Sequence, residues 1–106
     1  MEVVVEIDHA RARREYLRWV LLLTLNNARP MGCYDSTALA TVQGVYADAT
    51  ELEVRRELDY LAERELISLN KLPDGRWIAK LNRLGVDLAE YTIDCEPGIA
   101  RPEKYW

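Results

Sequence analysis

Between Thr50 and Ile67 the chain reads TELEVRRELDYLAERELI, and no other stretch limits the possible folds as much. Thr50 can accept from the backbone N–H of Glu53 while the Glu53 side chain reaches back to the N–H of Thr50, which makes a capping box. Val54, Leu58, Leu61 and then Glu65/Leu66 recur at three- and four-residue steps, so a Val/Leu stripe is expected to face a core. Glu51, Arg55, Arg56 and Asp59 fall on the opposite face. Glu51, Arg55 and Asp59 sit four apart, so both acids are expected to pair with the arginine along the helix. The segment predicts one amphipathic helix that hands over to a strand.

The residues after it fit a helix leading into a hairpin. Ile67 to Leu72 and Arg76 to Leu81 alternate in polarity around Pro73-Asp74-Gly75, the strongest hairpin signal in the chain. Asn82 or its neighbour is expected to cap a last helix through Tyr91, with Leu84 and Leu88 inward. Beyond Asp94, two prolines and a glycine indicate an irregular tail whose terminal Tyr105 and Trp106 are tied down, on the domain itself or on a partner.

Upstream, Asp8 is a fair N-cap for a helix from His9 to Arg29 whose apolar face holds Tyr16, Leu17, Val20, Leu21, Thr24 and Leu25. Arg11, Arg13, Arg14 and Arg18 give it a basic start, read first as solvated charge. Pro30 and Gly32 stop it. Cys33 and Tyr34 are expected to add a short strand against the hairpin. Asp35 or Ser36 caps a second helix, roughly Ser36 to Tyr46, with Leu39, Ala40 and Val42/Gln43 inward. A short turn then enters the Thr50 helix. Helix, short turn, helix and hairpin together predict an α+β, mainly helical, winged helix-turn-helix: an arm over residues 1–8, the domain over 9–92, and a tail over 93–106.

The length of 106 residues supports one core without disulfides or metal. A net charge of −4 argues against a protein that coats nucleic acid by bulk attraction. The acidic, non-basic start lacks the pattern of a signal peptide, and the run from Trp19 to Leu25 is too short to span a bilayer, so a cytoplasmic protein without membrane contact is expected. Cys33 and Cys95 have neither metal nor redox spacing and read as unpaired, partly buried thiols. His9 has no partner at ligand spacing. No nucleophile stands beside a base and no glycine-rich phosphate loop exists, so neither catalysis, cofactor nor metal is expected.

VRRELDYLAERELI, the run Arg76-Trp77-Ile78-Ala79-Lys80-Leu81-Asn82-Arg83-Leu84-Gly85 and the tail Pro97-Gly98-Ile99-Ala100-Arg101-Pro102 resemble a family of small proteins of Mu-like phages and prophages. The likeness runs from about His9 to Pro102. It implies a winged-helix fold and a phage setting in a bacterial host cell, and supplies no catalytic residues.

On a winged helix the second motif helix enters the major groove and the wing crosses the adjacent backbone. Arg55 and Arg56 are then expected at base edges or phosphates, and Lys71, Arg76 and Lys80 at phosphates of double-stranded DNA. A regulator of transcription, working as a homodimer through the arm, the first helix or the tail, would fit. Glu51 and Asp59 weigh against this, since they would repel phosphate at the closest approach. The rival expectation is a non-enzymatic adaptor on the same scaffold that binds another protein.

Overall fold

Asp8 accepts from the backbone N–H of Arg11 and opens α1 (His9–Asn27). The structure, a computed structural model, describes residues 7–106; the arm expected over 1–8 falls almost wholly outside them. After α1 come β1 (Cys33–Tyr34), α2 (Asp35–Gln43), α3 (Glu51–Glu63), β2 (Ile67–Lys71), β3 (Trp77–Leu81) and α4 (Arg83–Ala89). The result is a mainly helical α+β fold: helices around a small antiparallel sheet with strand order β1-β3-β2.

The core is where the periodic stripes meet. Val54, Leu58 and Leu61 of α3 are fully buried against Leu17, Leu21, Leu22 and Leu25 of α1 and Ala38 and Val42 of α2. Each such leucine contributes about 1.5–3 kcal/mol by leaving water, which is why the local amphipathic pattern dictates the layering. Leu17, Val20, Leu21 and Leu25, expected on the inner face of α1, are buried, and that face is broader than expected. Tyr16 stays partly exposed, packing edge-on against Tyr46, while Trp19 and Leu22 go inward. Leucines bury without needing a polar partner, whereas the tyrosine keeps its hydroxyl end near water.

The helix ends also differ in detail. Thr50 accepts from Glu53 N–H at 3.2 Å, but the reciprocal half of the capping box is not made, because both Glu53 carboxylate oxygens are taken by Arg13 at 2.8 and 2.9 Å. α3 stops at Glu63 rather than running to the strand. Glu65 adopts φ 63°, and Leu66 N–H returns to the Leu61 carbonyl at 3.0 Å, a left-handed termination that lets the chain reverse into β2. α2 ends at Gln43, and its Ala40, expected inward, is exposed. α4 is shorter than expected, and Leu84 points outward at 42% exposure. Its place at the packing surface is taken by Gly85, where a Cβ would strike the Leu66 carbonyl and the Leu81 side chain.

The hairpin forms as the Pro-Asp-Gly signal predicts. Leu72 N–H donates to the Arg76 carbonyl, and Gly75, at φ 90°, donates back to Leu72. Ile67 pairs with Leu81 and Lys71 with Trp77, so Ile67, Leu69, Lys71 and Trp77, Ala79, Leu81 share one face. Cys33 and Tyr34 pair with Ala79 and Ile78 as anticipated.

The tail is irregular, and it is tied to its own domain. Arg18 donates to the Gly98 carbonyl at 2.8 Å, Ala100 N–H donates to Glu15 O, and Arg101 donates to the carbonyls of Leu88 and Ile93. Tyr91 stacks edge-on with both Trp19 and Trp106, and its hydroxyl donates to Pro102 O at 2.6 Å.

Candidate nucleic-acid interface

The surface where DNA contact was expected is built from α3, the start of α2 and the hairpin tip. With Val54, Leu58 and Leu61 inward, the outermost face of α3 carries Leu52, Arg56, Asp59 and Glu63. That is one cation against two acids. Leu52 is 66% exposed at its start.

Arg55 does not point outward. Its guanidinium donates to the Asp35 carboxylate at 2.8 Å and to the Gly75 carbonyl at 2.6 Å, and it pairs with Glu51 at 2.9 Å. It also lies over the Trp77 ring, 4.8 Å from the centroid. One side chain thus joins α3, the first turn of α2 and the tip of the hairpin. Where a base-edge role was expected of Arg55, its Nε and Nη2 donors are engaged inside the molecule. Asp35 is its main partner, only 4% exposed, and also accepts from Trp77 N–H at 3.1 Å. Burial alone would raise the Asp35 carboxyl, but the Arg55 guanidinium and the Trp77 N–H outweigh it and hold the group below the ordinary carboxylate range.

Lys71 pairs with Asp59 at 3.1 Å and sits 4.2 Å from the Trp77 centroid. The expected Arg55–Asp59 pair is replaced by this one, because Arg55 is drawn toward Asp35 on the other side. Arg76 closes on Asp74 within the turn at 2.7 Å and lies over Tyr34. The Arg76 N–H and guanidinium hold the Asp74 carboxyl below its usual range, and Asp74 in turn raises the arginine. Lys71 and Arg76 each stand beside a carboxylate, in ion pairs about half exposed to solvent.

Among the described residues, Arg56 and Lys80 have no ion-pair partner, and the fold separates them. Arg56 borders a recess of about 300 Å³ between α1 and α3, with Arg14, Arg18, Tyr60 and three acids. Lys80 stands on the far face of the hairpin, bordering a different recess of about 450 Å³ with Arg29, Pro30, Gly32 and Leu81. The five residues expected to act together do not form one positive surface.

The arginines of α1 are largely consumed as well. Arg13 bridges Asp48 at 2.9 Å and Glu53, and lies over Tyr46. Hydrogen bonds to Glu53 and then Asp48 push its ionisation further up. Arg18 pairs with Glu57, which is 2% exposed, and stacks 3.5 Å from the Tyr60 centroid. These pairs span 39 and 40 residues of chain, and no periodic signal in the sequence announces them.

Among the described residues, no three His, Cys, Asp or Glu side chains cluster for a metal. Cys33 and Cys95 are free and half-buried, and burial, then Asp35, pushes the Cys33 thiol up, away from the reactive thiolate. No described helix is long and apolar enough to cross a membrane. No known protein family, curated protein or solved structure matches this chain.

Proposed function

We propose that this chain is a winged helix-turn-helix module of phage or prophage origin that binds another protein in the bacterial cytoplasm and carries no enzymatic activity. The order helix, strand, helix, helix, hairpin, with β1 laid against β3, supports the winged form, in which α3 is the presented helix and β2–β3 the wing. One observation carries the choice of a protein over DNA. Arg55, Lys71 and Arg76 sit in ion pairs with Asp35, Asp59 and Asp74, so an approaching phosphate meets a carboxylate beside each cation. Counterion release, the main source of DNA affinity, needs cations that are free to give up solution ions. The mixed face Leu52, Arg56, Asp59 and Glu63 suits a protein surface, where one exposed apolar side chain among charges of both signs gives both contact and specificity.

A DNA-binding regulator is the second reading, favoured by Arg14 and Arg56. Among the described residues both lack an ion-pair partner, and they border the same recess. On that reading Arg56 and Arg14 contact phosphate or bases, with Lys80 remote from them.

Titration with duplex DNA at two salt concentrations separates the two. The adaptor reading expects no binding tighter than about 100 µM near physiological salt, the weak end of non-specific affinity. Micromolar binding whose salt slope falls by about one unit in Arg56→Ala would overturn it. Capture of a partner from phage-carrying cells should be lost in Leu52→Asp and kept in Lys80→Ala.

A further inference from the structure

We propose that the recess between the end of α3, α4 and the segment after α4 docks a basic segment of another protein through a large apolar side chain. The recess measures about 400 Å³, within the range of about 300–1,000 Å³ of clefts that bury a small ligand. Leu66, Leu84, Leu88 and Ile93 give it an apolar lining. Leu66 and Leu88 are buried, whereas Leu84, one turn before Leu88 on α4, is 42% exposed. Water held against Leu84 and the lining is released when an apolar side chain enters.

The recess is formed in advance. Its wall from Ile93 to Glu96 is pinned at both ends, because Arg101 donates to the Ile93 carbonyl and Arg64 to the Pro97 carbonyl, each at 2.8 Å. An entering side chain therefore meets an open recess rather than one it must first order, which lowers the cost of binding.

The rim selects the charge of the occupant. Asp94 and Glu96 are exposed and, among the described residues, have no ion-pair partner. The one cation of the lining, Arg64, is directed to the Tyr60 hydroxyl and the Pro97 carbonyl, and its chain neighbours Glu63 and Glu65 are both exposed. A large apolar side chain flanked by Lys or Arg answers the lining and the rim together. A nucleic acid or an anionic lipid surface meets carboxylates there. So does the chain's own run Met1 to Ile7, whose Glu2 and Glu6 carry the sign of the rim. A second copy, at net charge −4, is repelled as a whole. The recess lies at the end of α3 away from Leu52, and its occupant is independent of what that face binds.

A synthetic amphipathic peptide of leucine and lysine, added to the full chain and followed by methyl NMR, tests this. The methyl signals of Leu66, Leu84, Leu88 and Ile93 should shift and saturate below about 1 mM peptide, while those of Leu52 and Val45 stay in place. The same peptide with glutamate in place of lysine should bind at least about tenfold more weakly. Leu84→Asp should weaken the lysine peptide at least about tenfold with the thermal melt unchanged, and Val45→Asp should leave its binding as it was. If Leu84→Asp alters the melt, Asp94→Asn with Glu96→Gln replaces it and should weaken binding at least about threefold. No shift at about 1 mM peptide, shifts spread over the acids of α3, equal binding of the two peptides, or unchanged binding in the Leu84 variant overturns the proposal.

Discussion

The Arg55 guanidinium closes on the Asp35 carboxylate at 2.7 Å, joining the middle of α3 to the first residue of α2. The same arginine holds the hairpin tip through the Gly75 carbonyl, and the same carboxylate holds β3 through Trp77 N–H. Two side chains therefore tie α3, the start of α2 and the hairpin together.

Removing either partner should not cost the same. Arg55→Ala leaves a nearly buried carboxylate without its cation and should lower stability by about 3 kcal/mol. Asp35→Asn keeps an oxygen for Trp77 N–H and should cost about 1–2 kcal/mol. Urea unfolding reads both, and losses that are small and equal would show the pair to be ornamental.

The Asp35 pair also predicts an acid limb. Its carboxyl lies below the ordinary range in the folded chain and near about 3.9 in the unfolded one. The unfolded chain then takes up the proton first as pH falls, so the stabilisation is complete above about pH 5 and disappears as pH drops through the folded value. Unfolding free energy measured from pH 6 to pH 3 should fall less steeply in Asp35→Asn than in the unaltered chain. Parallel slopes would remove Asp35 from the explanation.

Arg18 and Glu57 form the more deeply buried pair, 12% and 3% exposed at the side chain. Glu57→Ala should destabilise by about 3 kcal/mol, whereas Arg18→Met with Glu57→Leu should return to within about 1 kcal/mol of the starting value. A double-mutant cycle measures this, and a coupling near zero would mean that the two charges are solvated independently.

Gly98 should be intolerant of a side chain. At φ 110° with Tyr60 and Arg64 where a Cβ would stand, Gly98→Ala should cost about 2 kcal/mol and loosen the tail. Hydrogen exchange at Ala100 N–H, which donates to Glu15 O, should accelerate in that variant. Gly44→Ala, at an ordinary helical φ, should change stability by less than about 1 kcal/mol. A tail equally protected in both variants would contradict this placement.

Much of the layout was legible in local pattern. The Val54-Leu58-Leu61 stripe, the Thr50 and Asp8 caps and the Pro73-Asp74-Gly75 turn are each set by neighbours within a few residues, and each forms. Ala40 and Leu84 were misplaced because a short helix has too few turns for its apolar side to be unambiguous. In the structure Ala38 and Gly85 take the close-packed positions instead. The candidate site was less legible than the fold. Arg55, Lys71 and Arg76 look like a cationic set when read along the chain, and only Arg76–Asp74 and Arg55–Glu51 involve partners near enough to anticipate.

The order of helices and strands, their amphipathic faces and the hairpin belong to the sequence itself, because backbone hydrogen bonding and side-chain periodicity act over one or two turns. The fate of each charge belongs to the tertiary structure. Asp35 is 20 residues from Arg55, Glu57 is 39 from Arg18 and Gly98 is 80 from Arg18, and these groups meet only after the apolar stripes have packed. A charge seeks the nearest opposite charge in space rather than along the chain. Which charges stay free at the surface is therefore decided last, by which side chains the packed core has already brought together.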